Sequence, residues 1–407
     1  MNTYKNFNVE GDPMKQLNQS QVMVTKQPTV STIIQPVLKV IGLGGGGCNA
    51  VERMITLGMS GIQFVAANTD HQALNDNPAD IKIQLGPETT RGLGAGGDPE
   101  VGLAAAEESR SEIESALSGA DMVFLTAGMG GGTGTGSIPV AAEIARAIGA
   151  VTIAIVTTPF SFEIGRRQDN SNEGLTKLRQ HTHTLITIPN DRLLYVAPRD
   201  LPIEVAFQLA DDVLRQSVQG ISELITEPGM INVDFAHVRR LIQSGGGALM
   251  AIGHGQGEEK AYQAIEQALH HPLLESVSLE NAAGIIVNFT GGEDLTLFEV
   301  QDALTRLQAQ TGQQTEIVMG VINDTEMKNR VQVILVITGL GAPSLEDTFS
   351  KYAVSEPVSE PEEAAPQQQP SPTWQHTQFS SSSTDLDIPA FLRRRSGNVG
   401  LVDGSGL

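Results

Sequence analysis

The residues best suited to chemistry lie in two glycine-rich stretches, each set between an apolar run and a segment of helical spacing. AGMGGGTGTGS, residues 127–137, places six glycines and two threonines in eleven positions, after MVFLT and before IPVAAEIARAIGA. VIGLGGGGCNA, residues 40–50, holds Gly42, Gly44 and Gly47 in the order G-x-G-x-x-G. Glycine lets a backbone approach a phosphate closely and aim amide N–H groups at its oxygens, while a following helix adds the positive end of its dipole. One such turn suits a dinucleotide, and Asp70, an acidic residue able to read a ribose, lies 28 positions after Gly42. A nicotinamide enzyme has no need of the second loop. Two loops on neighbouring strand ends can grip one polyphosphate from both sides, with Thr133 and Thr135 adding hydroxyl donors. No lysine follows the glycines as G-x-x-x-x-G-K-[ST] requires, so backbone amides, helix dipoles and a bound Mg2+ must neutralise the phosphates.

Loops of this kind need parallel strands to hold them. VLKVIGLG (37–44), GIQFVAANTD (61–70), MVFLTAG (122–128), VTIAIVTTPF (151–160) and LITIPND (185–191) read as buried strands. Helix candidates alternate with them, such as NAVERMITLG with Val51, Met54 and Ile55 on one face, and a helix after the second loop with Pro139 in its first turn. A long helical stretch over 198–226, with Val205, Leu209 and Val213 at four-residue spacing, ends at EPG. A second alternating region follows, with strand candidates AGIIVNFTG, EIVMGVIND and VQVILVITG. The fold class is α/β: an N-terminal doubly wound parallel-sheet domain, a long central helix and a smaller α/β C-terminal domain between disordered tails. The divisions fall at 1–35 (polar extension), 36–200, 201–228 (central helix), 229–341, 342–384 (linker), 385–395 (terminal peptide) and 396–407. The linker is rich in Pro, Ser, Gln and Glu and cannot bury enough apolar surface to fold.

Composition narrows the function. A net charge of −21 over 407 residues argues against a surface that wraps nucleic acid by neutralising phosphates. No stretch reads as a membrane span or a signal peptide, and the one cysteine, Cys48, cannot form an internal disulfide; both fit a cytoplasmic protein.

GGGTGTG (130–136), with GGGGCNAV, NTD, TRGLGAGGDPEVG, IPNDRLL and INVDF, is similar to the signatures of the tubulin/FtsZ family of division GTPases over about residues 36–341. The resemblance implies a GTPase domain that binds GTP or GDP with Mg2+, and assembly of the chain with itself, head to tail, into filaments at the mid-cell division ring. It carries the nucleotide contacts to Gly45, Gly46, Gly47, Cys48 and Asn49 in the first loop, and to Thr133, Gly134, Thr135 and Gly136 in the second. GLGAGG around Ala95 resembles the loop near the γ-phosphate. Glu163 and Arg167 keep the family's spacing near ribose and phosphates, although FEIGRRQ departs from the usual order at Ile164. Asn190 and Asp211 match the base-recognition positions, and the chemistry agrees: a carboxylate accepts from both N1–H and the exocyclic amine of guanine, a donor pair that adenine lacks.

The family also implies that hydrolysis is completed by NVDFAH of the neighbouring subunit. Asn232 and Asp234 match, but His237 replaces the usual second carboxylate. A neutral imidazole accepts one hydrogen bond, whereas the protonated ring only donates. Two readings stay open, a GTPase whose Asp234 suffices for turnover and a GTP-binding filament protein with little turnover. In the tail, Ile388, Phe391 and Leu392 fall at i, i+3 and i+4. With Arg393 they resemble the family's docking peptide for membrane-linked adaptor proteins.

Overall fold

Runs of apolar residues that are buried on both faces become the inner strands of a parallel sheet. In the computed structural model, which describes residues 35–340 other than 164, 194–201, 228, 232, 244–245, 272–273, 275–278, 280–281 and 312–314, five such runs lie side by side. They are β1 (Leu38–Leu43), β2 (Ile62–Asn68), β4 (Met122–Gly128), β5 (Val151–Thr158) and β6 (Thr184–Pro189), with a short β3 (Ile81–Gln84) at the edge. Every residue of β1 and β5 is buried, including Lys39, whose Nζ donates to the carbonyls of Ala116 and Ser118 at 2.8 and 2.9 Å. Ile164, Asn232 and the tail residues Ile388, Phe391, Leu392 and Arg393 lie outside the described residues.

The strand order β3-β2-β1-β4-β5-β6 continues into β7 (Gly247–Gln256), β10 (Arg330–Leu340), β8 (Gly284–Gly291) and β9 (Glu316–Asn323). β1 to β6 are all parallel, and β10 runs antiparallel to both β7 and β8. The two halves meet where β6 pairs with β7 at Leu185↔Gly247 and Ile186↔Ala248. Helices cover both faces, giving two cores in the first half. One gathers α1 (Gly44–Thr56), α9 (Ile203–Thr226) and α10 (Phe235–Gln243), and the other α4 (Pro99–Glu108), α5 (Arg110–Leu117), α6 (Thr133–Ala147) and α7 (Arg166–His181). A third core lies under α11 (Lys260–Leu269) and α12 (Leu297–Gln310), where buried Lys260 pairs with Glu299 at 2.9 Å and Asp294 at 3.3 Å.

The eight strands expected from apolar runs are present; β3 and β7 were not anticipated. β7 contains Gly247, Gly253 and Gly255, which weaken a strand signal. The fold explains two of them, since a Cβ at Gly253 or Gly255 would stand 1.9 or 1.8 Å from a carbonyl of α11. The inner face of α9 also sits one residue later than the spacing suggested. Ala206, Ala210, Leu214, Val218, Ile221 and Leu224 are buried, whereas Val205 is exposed. Pro139 is the seventh residue of α6, not part of its first turn, because the helix begins six residues earlier, within the glycine loop.

α9 connects the two edges of the sheet. It starts beyond β6 and α8 (Asn190–Leu193) at the carboxyl edge of the sheet, and ends at Thr226, against Gly61 just before β2, at the amino edge. Its 24 residues make it about 36 Å long, enough to run from one edge to the other.

Candidate functional site

The switch in strand order falls between β1 and β4, and a ligand crevice forms at such a switch outside the carboxyl ends of the strands. Both glycine loops leave from these two strands. They touch so closely that a Cβ on Gly44 would stand 2.6 Å from the nitrogen of Gly134 and 3.2 Å from the Cβ of Thr133. A third loop joins them before α4, where a Cβ on Gly132 would stand 2.7 Å from the nitrogen of Asp98. A Cβ on Gly45, Gly96, Gly97 or Gly131 would instead meet nothing within 4 Å. Glycines forced by packing thus hold the three loops together, and glycines beside open space line the crevice.

α1 begins at Gly44 and α6 at Thr133, so the first-turn amides of both helices lie in these loops without a helical carbonyl to bond. Gly45, Gly46 and Asn49 are exposed, while Gly47 and Cys48 are buried. The Cys48 thiol faces the sheet, where Sγ lies 3.7 and 3.6 Å from the carbonyl oxygens of Gly42 and Ala67, and burial pushes its pKa up to about 12. It is a core group. The Thr133 hydroxyl meets that of Thr69 at 2.6 Å, a partner at the end of β2 that sequence reasoning missed. Thr135 is 2% exposed, and its hydroxyl accepts from the Gly130 N–H at 2.8 Å, bracing the loop from within. Gly134 and Gly136 are buried beneath the loop. Ala95 is buried with its Cβ toward Gly132.

After β5, Glu163 accepts from the Phe160 N–H at 2.9 Å and pairs with Arg167. Phe160 stacks on Phe162 and meets Phe207 of α9 edge to face. Phe207 stands one helical turn before Asp211 and is 40% exposed. That i, i+4 spacing was the available signal for it. Asp211 has its carboxyl raised to about 7 by burial, against a lowering influence from Arg53. Its neighbour Asp212 is instead bonded to Arg215 at 2.8 Å. Asn190 is buried at the end of β6, and its Oδ1 has no hydrogen-bond partner among the described residues. An orphaned acceptor, a half-buried carboxyl and a partly exposed ring suit a flat ligand rich in N–H donors. The open-glycine crevice suits its phosphates.

Asp234 and His237 are elsewhere. Asp234 caps α10, its Oδ1 accepting from Ala236 N–H at 3.0 Å, and its carbonyl accepts from His237 N–H at 2.9 Å. Both side chains are exposed, while Val238, Leu241 and Ile242 face the core. They follow the far end of α9, at the opposite edge from the glycine loops. One chain does not bring them to the crevice.

Two family models match: the GTPase domain of the tubulin/FtsZ family over residues 37–198, and the FtsZ family C-terminal domain over 246–341. An FtsZ dimer of M. jannaschii is 45% identical with a TM-score of 0.72, the match covering 75% of this chain and 89% of that one. A point mutant of the same organism's FtsZ matches equally well over 92% of its length. CetZ2 of Haloferax volcanii, a GTPγS-bound protofilament, shares the fold at 20% identity and a TM-score of 0.66, covering 78% of this chain and 97% of that one.

Proposed function

Because this chain belongs to the tubulin/FtsZ family, with an FtsZ-type C-terminal domain, we propose that its crevice binds GTP and that subunits stack head to tail, Asp234 of one completing the hydrolytic site of the next. The observation that carries this is the separation of the parts: a crevice at one edge and Asp234 at the other end of a helix about 36 Å long. A contact between unlike ends is heterologous and generates an open polymer when its rotation does not close a ring. Light scattering on adding GTP, against GDP as control, tests assembly. A signal indifferent to the nucleotide would contradict the reading.

Within the crevice, Asp211 and Asn190 read the base and Phe207 stacks on it. Glu163 and Arg167 flank the ribose and phosphates. Gly45, Gly46, Gly47, Asn49, Thr133, Gly134 and Gly136 present the phosphate cradle, with Thr135 and Cys48 acting through the shape of their loops. Among the described residues no three His, Cys, Asp or Glu side chains form a metal-binding group. Mg2+, brought in with the nucleotide, would offset the charge of its phosphates. The peptide at 385–395 docks membrane-linked adaptors, tethered by the 342–384 linker, and places the filament at the mid-cell ring. No helix among the described residues is long and apolar enough to cross a membrane.

Burial of Asp211 has a consequence for binding. The ionised carboxylate is the form that accepts from guanine, and with its pKa near 7 the group holds a proton below that value before the nucleotide arrives. Binding must then expel it. Affinity for GTP is expected to be flat above about pH 7 and to fall by up to tenfold per unit below it. Titrations of GTP binding from pH 5.5 to 8, in buffers of different ionisation enthalpy, would also register the released proton. Constant affinity across that range contradicts the assignment.

A second reading is favoured by one residue, His237. An imidazole stands where the family has a second carboxylate and offers the attacking water at most one acceptor, so turnover is slow and the filament is mainly structural. His237→Asp is then expected to raise phosphate release by about tenfold. Equal rates for the two chains leave Asp234 sufficient and dismiss this reading.

A further inference from the structure

Asn170 lies on α7, half-buried, and its Nδ2 donates to two carbonyls, Gly97 at 3.3 Å and Gly130 at 3.4 Å. An amide NH2 has two hydrogens, so both bonds are made at once. The acceptors belong to different loops. One precedes α4 and the other follows β4. A second tie holds the same pair of loops, since Thr69, whose hydroxyl meets Thr133, accepts at its carbonyl from Gly94 N–H at 3.3 Å.

The backbone geometry gives these ties a direction. A trans peptide carries its C=O and N–H on opposite sides. Drawing the Gly130 carbonyl toward α7 therefore turns the Gly131 N–H away from α7. A Cβ on Gly131 would meet no atom within 4 Å, and the same is true at Gly96 and Gly97. Along the carboxyl edge, the order from β6 to β3 sets Asn190 after β6, Glu163 and Arg167 after β5, the glycine loops after β4 and β1, and residues 91–97 beyond β3. A nucleotide whose base lies at Asn190 and Asp211 thus directs its last phosphate toward Gly131 and Gly96–Gly97.

Resting on the nucleotide reading above, we infer that Asn170 is a positioning residue for the terminal phosphate: it ties the Gly97 and Gly130 carbonyls to α7 and so aims the Gly131 N–H at the phosphate oxygens. It distinguishes a triphosphate from a diphosphate without touching either. Its removal costs GTP affinity and spares GDP.

The test compares binding of ribose-labelled GTP and GDP to the full chain, below the assembly concentration, for the native chain and for Asn170→Ala, Asn170→Asp and Asn170→Gln. Losing two neutral hydrogen bonds is expected to weaken GTP about tenfold in Asn170→Ala, with GDP changed less than about twofold. Asn170→Asp keeps the size and loses the donors, so it shows at least the same selective loss even if the alanine chain folds poorly. Asn170→Gln keeps a donor and recovers part of the ratio. An unchanged GTP-to-GDP ratio in the alanine and aspartate chains, or equal loss of both nucleotides, overturns the inference. A native chain that binds neither nucleotide overturns the reading beneath it as well.

Discussion

Alanine at Asp234 is expected to lower GTP turnover by roughly 10²- to 10⁴-fold, the usual contribution of a positioned acid–base group, while leaving GTP affinity near that of the native chain. The split follows from where the side chain stands. Asp234 is exposed at the start of α10, beyond the far end of α9, and touches nothing in its own crevice. Its substitution also leaves the α10 core untouched, at the loss of one helix cap worth about 1 kcal/mol. The two-subunit arrangement adds a sharper expectation. An Asp234→Ala chain has an intact crevice, and an Asp211→Ala chain has an intact Asp234 but weakened base recognition. Mixed, the two should release phosphate faster than the sum of their separate rates, because some contacts pair a working crevice with a working Asp234. Additive rates in a mixture that still scatters light would place hydrolysis within a single chain.

Asparagine at Asp211 is expected to weaken GTP on the order of 100-fold and to improve XTP by a similar factor. Guanine offers two donors toward this position, N1–H and the exocyclic amine, and a carboxylate accepts both. Xanthine keeps N1–H and carries a carbonyl in place of the amine, which an asparagine amide matches with one acceptor and one donor. A good two-point base contact discriminates by about 1–3 kcal/mol, which sets the size of the effect. The same substitution removes the group whose proton must leave, so affinity in the variant should lose its dependence on pH near 7. Competition binding with the four nucleoside triphosphates and XTP checks both points. An Asp211→Asn chain that keeps its preference for GTP would assign the base to another residue.

The glycine loops were legible because glycine is demanded there for two reasons that sequence displays together. It permits close backbone approach, as at Gly44 against Gly134, and it leaves open space, as at Gly45 and Gly131. The parallel strands were legible for a similar reason, being buried on both faces and so apolar throughout. Other parts depend on approaches between distant segments. Thr69 and Thr133 are 64 positions apart, and Asn170 reaches a carbonyl 73 positions away, so neither residue type announces its role. Thr135 reads as a hydroxyl donor until α7 is seen packed on it, with the position of a Cβ on Gly174 only 2.4 Å from its methyl group. The inner face of α9 was misplaced by one residue for a related reason. The helix packs through Ala206, Ala210 and Gly220, small residues with weak apolar signal, and a Cβ on Gly220 would stand 2.6 Å from Ile334.

The length of α9 sets a count. On the head-to-tail arrangement proposed above, every complete hydrolytic site needs a joint, and a row of n subunits has n − 1 joints. The outermost crevice at one tip never meets an Asp234, however long the row grows, and its GTP persists until another subunit arrives. At the opposite tip an Asp234 projects with no phosphate to serve. The two tips of such a filament would therefore differ chemically, and its age would be written along its length: old joints holding GDP, and the last subunit added at the open-crevice tip keeping its triphosphate.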